Sequence, residues 1–326
     1  MKILVTGGAG YIGSHVVLEG LSQGHDIVIL DDLSSGSKNN LSNETKFYEG
    51  STLSDENLSN VFRENKFDAV IHLAASKSAG ESMLNPGKYA QNNIIGGINL
   101  INHASKNGVK IFIFSSSAAV YGYPNYSPID EKHLLKPESY YGYTKLALEE
   151  NLKWFAYLKG MNYCALRYFN AAGYGVNNKS LEVEKNPQNL IPRVMETIFG
   201  KRDKLSIFGS DYNTKDGTGV RDYVHVSDLA SAHLQSLFLI NRDKKSVILN
   251  LGTGLGHSVL DVIKMAEKVS NHKINYELKP RREGDCDIVL ADSSKAIDLL
   301  SWSPIYSDLR TIIESTFRNY KLKETF

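Results

Sequence analysis

A glycine-rich turn placed directly after a short apolar run constrains this chain more than any other feature. Gly7-Gly8-Ala9-Gly10-Tyr11-Ile12-Gly13 follows Ile3-Leu4-Val5, and Ile12, Val16, Val17 and Leu21 then fall on one helical face. A strand that passes through glycines at this spacing into a helix is the opening unit of a doubly wound α/β fold. Gly8 and Gly10 let backbone N–H groups approach a pyrophosphate, and a helix starting near Tyr11 turns its positive end toward that charge. Gly13 lets the helix pack closely on the strand. A bare glycine pattern also fits a tight turn with no ligand; the strand before it and the helix after it decide for the phosphate cradle.

The rest of the chain extends that unit. Short apolar strands are expected at 3–6, 27–30, 69–73, 111–115 and 163–166, with helical spacing between them. Repeated strand–helix–strand units imply a parallel sheet with helices on both faces, an α/β doubly wound, Rossmann-type sheet. At 326 residues the chain exceeds one typical domain. We expect a dinucleotide-binding domain over 1–170, with 220–252 returning to it, and a smaller C-terminal α/β substrate domain over 171–219 and 253–326. The stretch 173–189 is polar and irregular and reads as a long functional loop. A second polar loop covers 211–219. A helix at 227–240 and a strand at 247–250 restore the α/β rhythm, and a terminal helix is expected at 308–320.

Asp31 closes the second strand eighteen residues after Gly13, where a carboxylate accepts hydrogen bonds from an adenosine ribose. It also repels a 2′-phosphate, so NAD is expected over NADP. Asp32 is a solvated neighbour or shares the role, and Ala74 and Ala75 leave space beside the cofactor. More than a hundred residues later, Tyr141-Gly142-Tyr143-Thr144-Lys145 puts a phenol and an ammonium one turn apart on a helix face. Pro137, Glu138 and Ser139 make a plausible start for that helix. The ammonium and a nicotinamide ring are both expected to favour the phenolate, bringing a group of pKa about 10 toward neutrality. Alone, such a pair is an ordinary helix-surface feature; behind a dinucleotide turn it reads as a base for redox chemistry on an alcohol. Ser115-Ser116-Ser117 ends the strand before it, at the strand carboxyl edge where open α/β sheets bind ligands. Ser117 is the expected substrate contact; three serines at a strand end fit backbone-satisfying roles equally well, and at least one is expected to have such a role.

Together these motifs resemble the extended short-chain dehydrogenase/reductase family, and within it the UDP-galactose (UDP-glucose) 4-epimerases. The resemblance spans nearly the whole chain. It takes in 6–15, Lys77 with Ala79-Gly80-Glu81-Ser82, Asn92-Asn93, 114–122, 141–145, 167–170, 250–254 and 280–285. Its most specific parts are Asp216-Gly217-Thr218-Gly219-Val220-Arg221-Asp222-Tyr223-Val224-His225-Val226 and Arg281-Arg282-Glu283-Gly284-Asp285. The resemblance implies that Tyr141 takes the proton from a sugar 4-hydroxyl, with Ser117 on the same oxygen and Lys145 completing the catalytic set. It implies NAD held by Gly7, Gly10, Tyr11, Ile12, Gly13, Asp31, Ser51, Thr52, Lys77, Asn92, Tyr141, Lys145 and Tyr168. It places the UDP-sugar against Ser117, Tyr141, Asn170, Asn189 and Leu190, with Arg221 and Arg282 on the diphosphate. Phe208, Tyr223 and Asp285 belong to the nucleoside end, and Val289 borders the sugar. A homodimer is expected. Two departures stand out. Glu49-Gly50-Ser51-Thr52 replaces a Gly-Asp pair, so the acidic partner of the adenine amino group is missing at Ser51. Val289 is small where some members carry a bulky aromatic, which leaves room for N-acetylhexosamines.

Other readings fit less well. A nucleotide-sugar 4,6-dehydratase needs an acid after the strand-end serine, and Ser116-Ser117-Ala118-Ala119 offers no carboxyl. A UDP-glucuronate decarboxylase fails on similar grounds. A non-catalytic NAD-binding regulatory protein has no use for Tyr141 and Lys145. A net charge of +1 gives no case for nucleic acid or an anionic membrane, and no apolar run approaches a membrane span. No metal is expected. The chain reaches a strand by Lys2-Ile3, leaving no room for a signal peptide, and Cys164 and Cys286 form no disulfide framework. A reduced, cytoplasmic setting is the expectation.

Overall fold

The structure is a computed structural model that describes residues 1–175, 181–184, 187–282 and 284–324. Parts of the loop expected over 173–189, namely 176–180 and 185–186, lie outside the described residues, as does Glu283. The first half runs β1 (Lys2–Thr6), α1 (Tyr11–Ser22), β2 (Asp26–Asp31), β3 (Lys46–Glu49), α2 (Asp55–Glu64) and β4 (Ala69–His72). It continues through α3 (Ala79–Leu84), α4 (Pro86–Tyr89), a π-helical turn (Ala90–Ile95), α5 (Gly96–Lys106), β5 (Ile111–Ser117), α6 (Tyr140–Lys159) and β6 (Asn162–Tyr168). Then follow β7 (Asn170–Ala172), α7 (Leu190–Ile198), β8 (Leu205–Phe208), β9 (Val220–His225), α8 (Val226–Asp243) and β10 (Val247–Leu251). The chain ends with β11 (Gly256–Ser258), α9 (Val259–Ser270), β12 (Tyr276–Lys279), β13 (Ile288–Val289), α10 (Ser294–Leu300) and α11 (Leu309–Glu324).

Seven parallel strands form one sheet in the order β10-β6-β5-β4-β1-β2-β3. The order reverses between β1 and β4, which makes a switch-point crevice at the strand carboxyl ends. Both faces are buried, and strand alternation explains how. Ile3, Val5, Ile27, Ile29, Ile71, Ile113 and Leu166 face one layer with Val16 and Val17 of α1 and Leu229, Leu234 and Leu237 of α8. Leu4, Val28, Leu30, Val70, Phe112, Phe114 and Ala165 face the other, against Leu58 and Val61 of α2, Leu100 and Ile101 of α5, and Leu148 and Leu152 of α6. Each such side chain, fully withdrawn from water, contributes about 1.5–3 kcal/mol. Cys164 belongs to the first layer, and burial pushes its thiol up to about 12. The strand at Lys46–Glu49 was not foreseen, because Lys46 and Glu49 are exposed at the sheet edge and leave no apolar run to read.

A small sheet is built on β9, which pairs with β7, β11 and β13. Since β7 starts two residues after β6 ends, this sheet begins at the carboxyl edge of the large one. Strands β8 and β12 make a separate parallel pair. Helices α7, α9 and α11 close a third core through Ile191, Val194, Met195, Ile263 and Ile312. Within 220–252, β9 belongs to the small sheet, whereas α8 packs on the large sheet and β10 forms its edge.

Candidate active site

The site starts at the turn between β1 and α1. Gly7 has φ +75°, and a Cβ there would lie 2.6 Å from the Ala74 backbone nitrogen. A Cβ on Gly13 would overlap the Gly7 carbonyl oxygen. Both positions therefore require glycine. Gly10 is the N-cap of α1, and among the described residues no side chain caps that turn. The helix thus presents Tyr11, Ile12 and Gly13 at an open, positive end suited to a pyrophosphate. The Tyr11 hydroxyl donates to the Gly173 carbonyl at 2.5 Å, linking this turn to the segment after β7.

Asp31 sits next to the cradle and is buried. Its Oδ2 accepts from the Ala9 N–H at 2.9 Å and its Oδ1 from the Leu33 N–H at 2.8 Å. Burial raises its pKa, and those two N–H groups oppose the rise. Asp32 instead turns to solvent and accepts from Ser34. Ser51 is engaged locally: its hydroxyl accepts from the Leu53 N–H at 3.2 Å and its own N–H donates to Asn57. Thr52 is buried beside α5. Lys77 forms a 2.8 Å ion pair with Glu184, and its ammonium lies 6.0 Å from the centre of the Tyr11 ring. Asn92 donates to the Ser76 hydroxyl at 3.0 Å from the π-helical turn. Tyr168 is bonded to the Ser115 hydroxyl.

Helix α6 carries the phenol and the ammonium. Ser139 caps it by accepting from the Gly142 N–H at 3.1 Å, so Pro137-Glu138-Ser139 does start the helix. The Tyr141 N–H donates to Ser82 at 3.0 Å, and its phenol faces Ser117 at the end of β5 closely enough for that hydroxyl to lower its pKa. Lys145, four residues on, is buried and donates to the Ser115 carbonyl at 2.8 Å, with its nitrogen 5.7 Å from the centre of the Tyr141 ring. Phenol, hydroxyl and ammonium therefore meet at the strand carboxyl edge. The expected electrostatics need one correction. Burial raises the Tyr141 phenol, and the Ser117 hydroxyl is what opposes it. Burial also pulls the Lys145 ammonium down to about 7, against the attraction of Glu149. A lysine this desolvated does not by itself bring the phenol toward neutrality.

Sequence reasoning assigned no role to the network beneath these groups. Glu149 and Arg167 are both buried; Arg167 donates Nε to Oε1 at 2.9 Å and a terminal nitrogen to Oε2 at 2.5 Å. Ser116 donates to the same carboxylate at 2.5 Å, and Arg167 also reaches the Tyr121 hydroxyl at 3.0 Å. Tyr121 passes the chain to Asn250 at 2.6 Å. Asn93 is a second tie, donating to Thr144 of α6 at 2.9 Å and to the Ser76 carbonyl at 2.9 Å.

The substrate-side residues gather on the small sheet and its loops. Asn170 pairs in register with Tyr223, and Arg221 with Val289. The Asn170 amide donates to the Asp222 carbonyl at 2.8 Å. Arg221 donates to the carbonyls of Val220 and Cys286 at 2.9 and 2.8 Å. Asp285 lies between the two arginines, 3.5 Å from Arg221 and 3.4 Å from Arg282. The Arg282 guanidinium stacks 4.4 Å from the centre of Phe208. Asn189 caps α7 through backbone only, and Leu190 begins that helix against the third core. Tyr223 is buried, with its phenol pushed up to about 12. Val289 packs beside Val120, Tyr121, Phe169 and Ala291.

Residues 3–252 match the NAD dependent epimerase/dehydratase family. The UDP-glucose 4-epimerase of Halalkalibacterium halodurans is 43% identical over 321 residues, covering 98% of this chain and 96% of that protein. A Bifidobacterium longum UDP-glucose 4-epimerase, solved with NAD+ and UDP, superposes with a TM-score of 0.93 at 38% identity, over 100% of this chain and 99% of that one. The UDP-Glc/GlcNAc 4-epimerase of Campylobacter jejuni gives a TM-score of 0.87 at 42% identity, over 98% and 99% of the two chains.

Proposed function

This chain belongs to the NAD dependent epimerase/dehydratase family, and from that premise we propose that it is an NAD-dependent epimerase interconverting UDP-galactose and UDP-glucose at sugar carbon 4. The observation that carries the reading is the meeting of Ser117, Tyr141 and Lys145 at the strand carboxyl edge, between a glycine cradle and a small sheet whose strand β9 carries Arg221. The cradle fits a dinucleotide: two positions admit only glycine, and the α1 N-terminus is open to an anion. The Asp31 carboxylate favours NAD over NADP. Bound there, NAD would supply a reversible hydride acceptor for carbon 4.

The chain's own residues do the rest. Tyr141 as the phenolate, the form that the positive nicotinamide ring of bound NAD would favour against the effect of burial, removes the 4-hydroxyl proton as the carbon is oxidised to the ketone, then returns it. Ser117 donates to the same sugar oxygen. Lys145 spends one N–H on the Ser115 carbonyl and has two left for ribose hydroxyls. Lys77 and Asn92 complete the cofactor contacts. Arg221 and Arg282 hold the diphosphate through charge-assisted bonds, exchanging their present partner Asp285 for it. Asn170, Asn189, Leu190, Phe208, Tyr223 and Asp285 line the remaining length of the UDP-sugar. Binding concentrated on UDP leaves the 4-keto sugar free to turn over and accept hydride on its other face. The small side chain of Val289 extends the range to UDP-N-acetylglucosamine and UDP-N-acetylgalactosamine, in keeping with the similarity to the Campylobacter jejuni enzyme.

Incubation of the pure protein with UDP-galactose, followed by proton NMR, tests this reading. UDP-glucose is the expected product. A 4-keto-6-deoxy sugar would transfer the protein to the dehydratases, and no turnover with NAD present would leave it a binding protein.

We place 1–170, α8 and β10 in the dinucleotide-binding domain and the small sheet with α7, α9 and α11 in the substrate domain. The protein acts as a homodimer in the cytoplasm. Support for the dimer is the exposed apolar set of Met83, Leu84, Trp154, Tyr157 and Leu158 on α3 and α6. Light scattering of the wild type and Trp154→Glu checks it: a dimer that becomes a monomer is expected, and a monomeric wild type refutes it. No helix is long and apolar enough to cross a membrane among the described residues.

A further inference from the structure

Asp222 stands between Arg221 and Tyr223 on β9, and strand alternation turns its side chain away from theirs. Its carboxylate is fully buried. Oδ1 accepts from the Thr253 N–H and the Thr253 hydroxyl, both at 2.8 Å. Oδ2 accepts from the Gly254 N–H at 2.9 Å and the Ala291 N–H at 3.1 Å. Four donors from two other chain segments thus converge on one carboxylate, and three of them are backbone groups. Residues 253–254 follow β10 of the large sheet, and Ala291 follows β13 of the small one. The Asp222 carbonyl meanwhile accepts the Asn170 amide at 2.8 Å. Ile129 braces the same stretch, donating to the Leu290 carbonyl and accepting from the Asp292 N–H, both at 2.8 Å.

Every substrate-side group named on this sheet therefore adjoins one residue. Arg221 and Tyr223 flank it in the chain, Asn170 hangs on its carbonyl, and Val289, in register with Arg221, is fixed through Ala291. We propose that Asp222 is a positioning residue for the UDP-sugar, holding Arg221, Tyr223, Asn170 and Val289 in place by joining the small sheet to the β10 edge of the large sheet. The inference rests on the UDP-sugar reading of the cleft and assigns Asp222 no contact with substrate. It requires a carboxylate. An amide of the same shape offers one oxygen and one NH2 group, so in either orientation the NH2 faces at least one backbone N–H that has no other role to take. That N–H then loses its buried acceptor, and the segment carrying it moves.

The test compares wild type, Asp222→Asn and Thr253→Val, the last removing the hydroxyl that donates to Oδ1 and accepts the Leu255 N–H at 3.0 Å. UDP affinity is read by calorimetry on NAD-loaded protein, NAD content after denaturation, and kcat and KM with UDP-galactose. We expect Asp222→Asn to weaken UDP about tenfold to a hundredfold and to raise KM in step. NAD content stays unchanged and kcat falls much less, a split that general loosening of the fold would not give. Thr253→Val shows the same pattern, smaller, and carries the test if Asp222→Asn is insoluble. Unchanged UDP affinity in the variants, or NAD lost in proportion to UDP, overturns the inference. A wild type that binds NAD but no UDP removes the UDP-sugar reading and this inference with it. A wild type that binds UDP no better than Asp222→Asn removes this inference alone.

Discussion

The Glu149–Arg167 pair offers the sharpest stability test, because two full charges are sealed inside the fold. Their side chains are 0% and 2% exposed, joined by two hydrogen bonds of 2.5 and 2.9 Å. Removing one partner of such a pair leaves the other charge desolvated, at a cost of about 3–5 kcal/mol. Unfolding entropy of about 2.1 cal/mol/K per residue, over 326 residues, converts that into a melting shift of about 4–7 °C. The two single variants should differ. Arg167→Met leaves Glu149 with Ser116 and the nearby Lys145 ammonium, whereas Glu149→Leu strips both Arg167 and Lys145 of their counter-charge. Glu149→Leu should therefore cost more. The double variant should cost less than the sum of the singles by about 2 kcal/mol or more, since neither charge then remains to be stranded. Urea unfolding at saturating NAD, followed through the buried Trp302, measures all four proteins on one scale. Additive effects, or Arg167→Met costing more than Glu149→Leu, would show that the two charges do not depend on each other in this way.

Three further predictions concern the site. Tyr141→Phe should lower turnover by about 10²–10⁴ with melting and NAD content unchanged, because the Ser82 bond is to backbone; little loss of rate would remove Tyr141 as the base. Lys145 falls from 10.5 unfolded to about 7 folded, so between those values the unfolded chain binds more protons and stability rises with pH. The stability of wild type relative to Lys145→Met should therefore climb from pH 7 toward 10, by up to about 1.4 kcal/mol per unit, and be flat below 7; urea titrations showing no pH dependence would contradict it. Val289→Tyr, crowding a position packed against Phe169 and Ala291, should suppress N-acetylhexosamine turnover by roughly ten- to a hundredfold and spare UDP-galactose. Equal loss on both substrates would show that Val289 is no gate.

What was legible in the sequence follows from how each signal is written. The large sheet announced itself because its inner strands are buried on both faces and read as unbroken apolar runs, as in Ala69–His72 and the first residues of Ile111–Ser117. The edge strand Lys46–Glu49 carries no such run and was invisible. Glycine spacing and the Tyr141–Lys145 interval located the cradle and the catalytic helix, since both depend on local geometry. The Glu149–Arg167 network and the Asp222 knot were not legible. Their partners lie 18 to 129 positions apart, and a charged residue on a helix or strand reads by default as a solvated one. The lowered ammonium of Lys145 was missed for a related reason: spacing reveals a neighbour, while the dominant effect here is burial.

On this mechanism one hydride leaves carbon 4 of the sugar and returns to it. UDP-galactose carrying deuterium at carbon 4, incubated with the NAD-loaded protein in ordinary water, tests it directly. The expected product is UDP-glucose with deuterium retained at carbon 4, seen by mass spectrometry and by the missing H4 resonance. Replacement of the label by solvent hydrogen in the UDP-glucose formed, or no UDP-glucose at all, would contradict the claim.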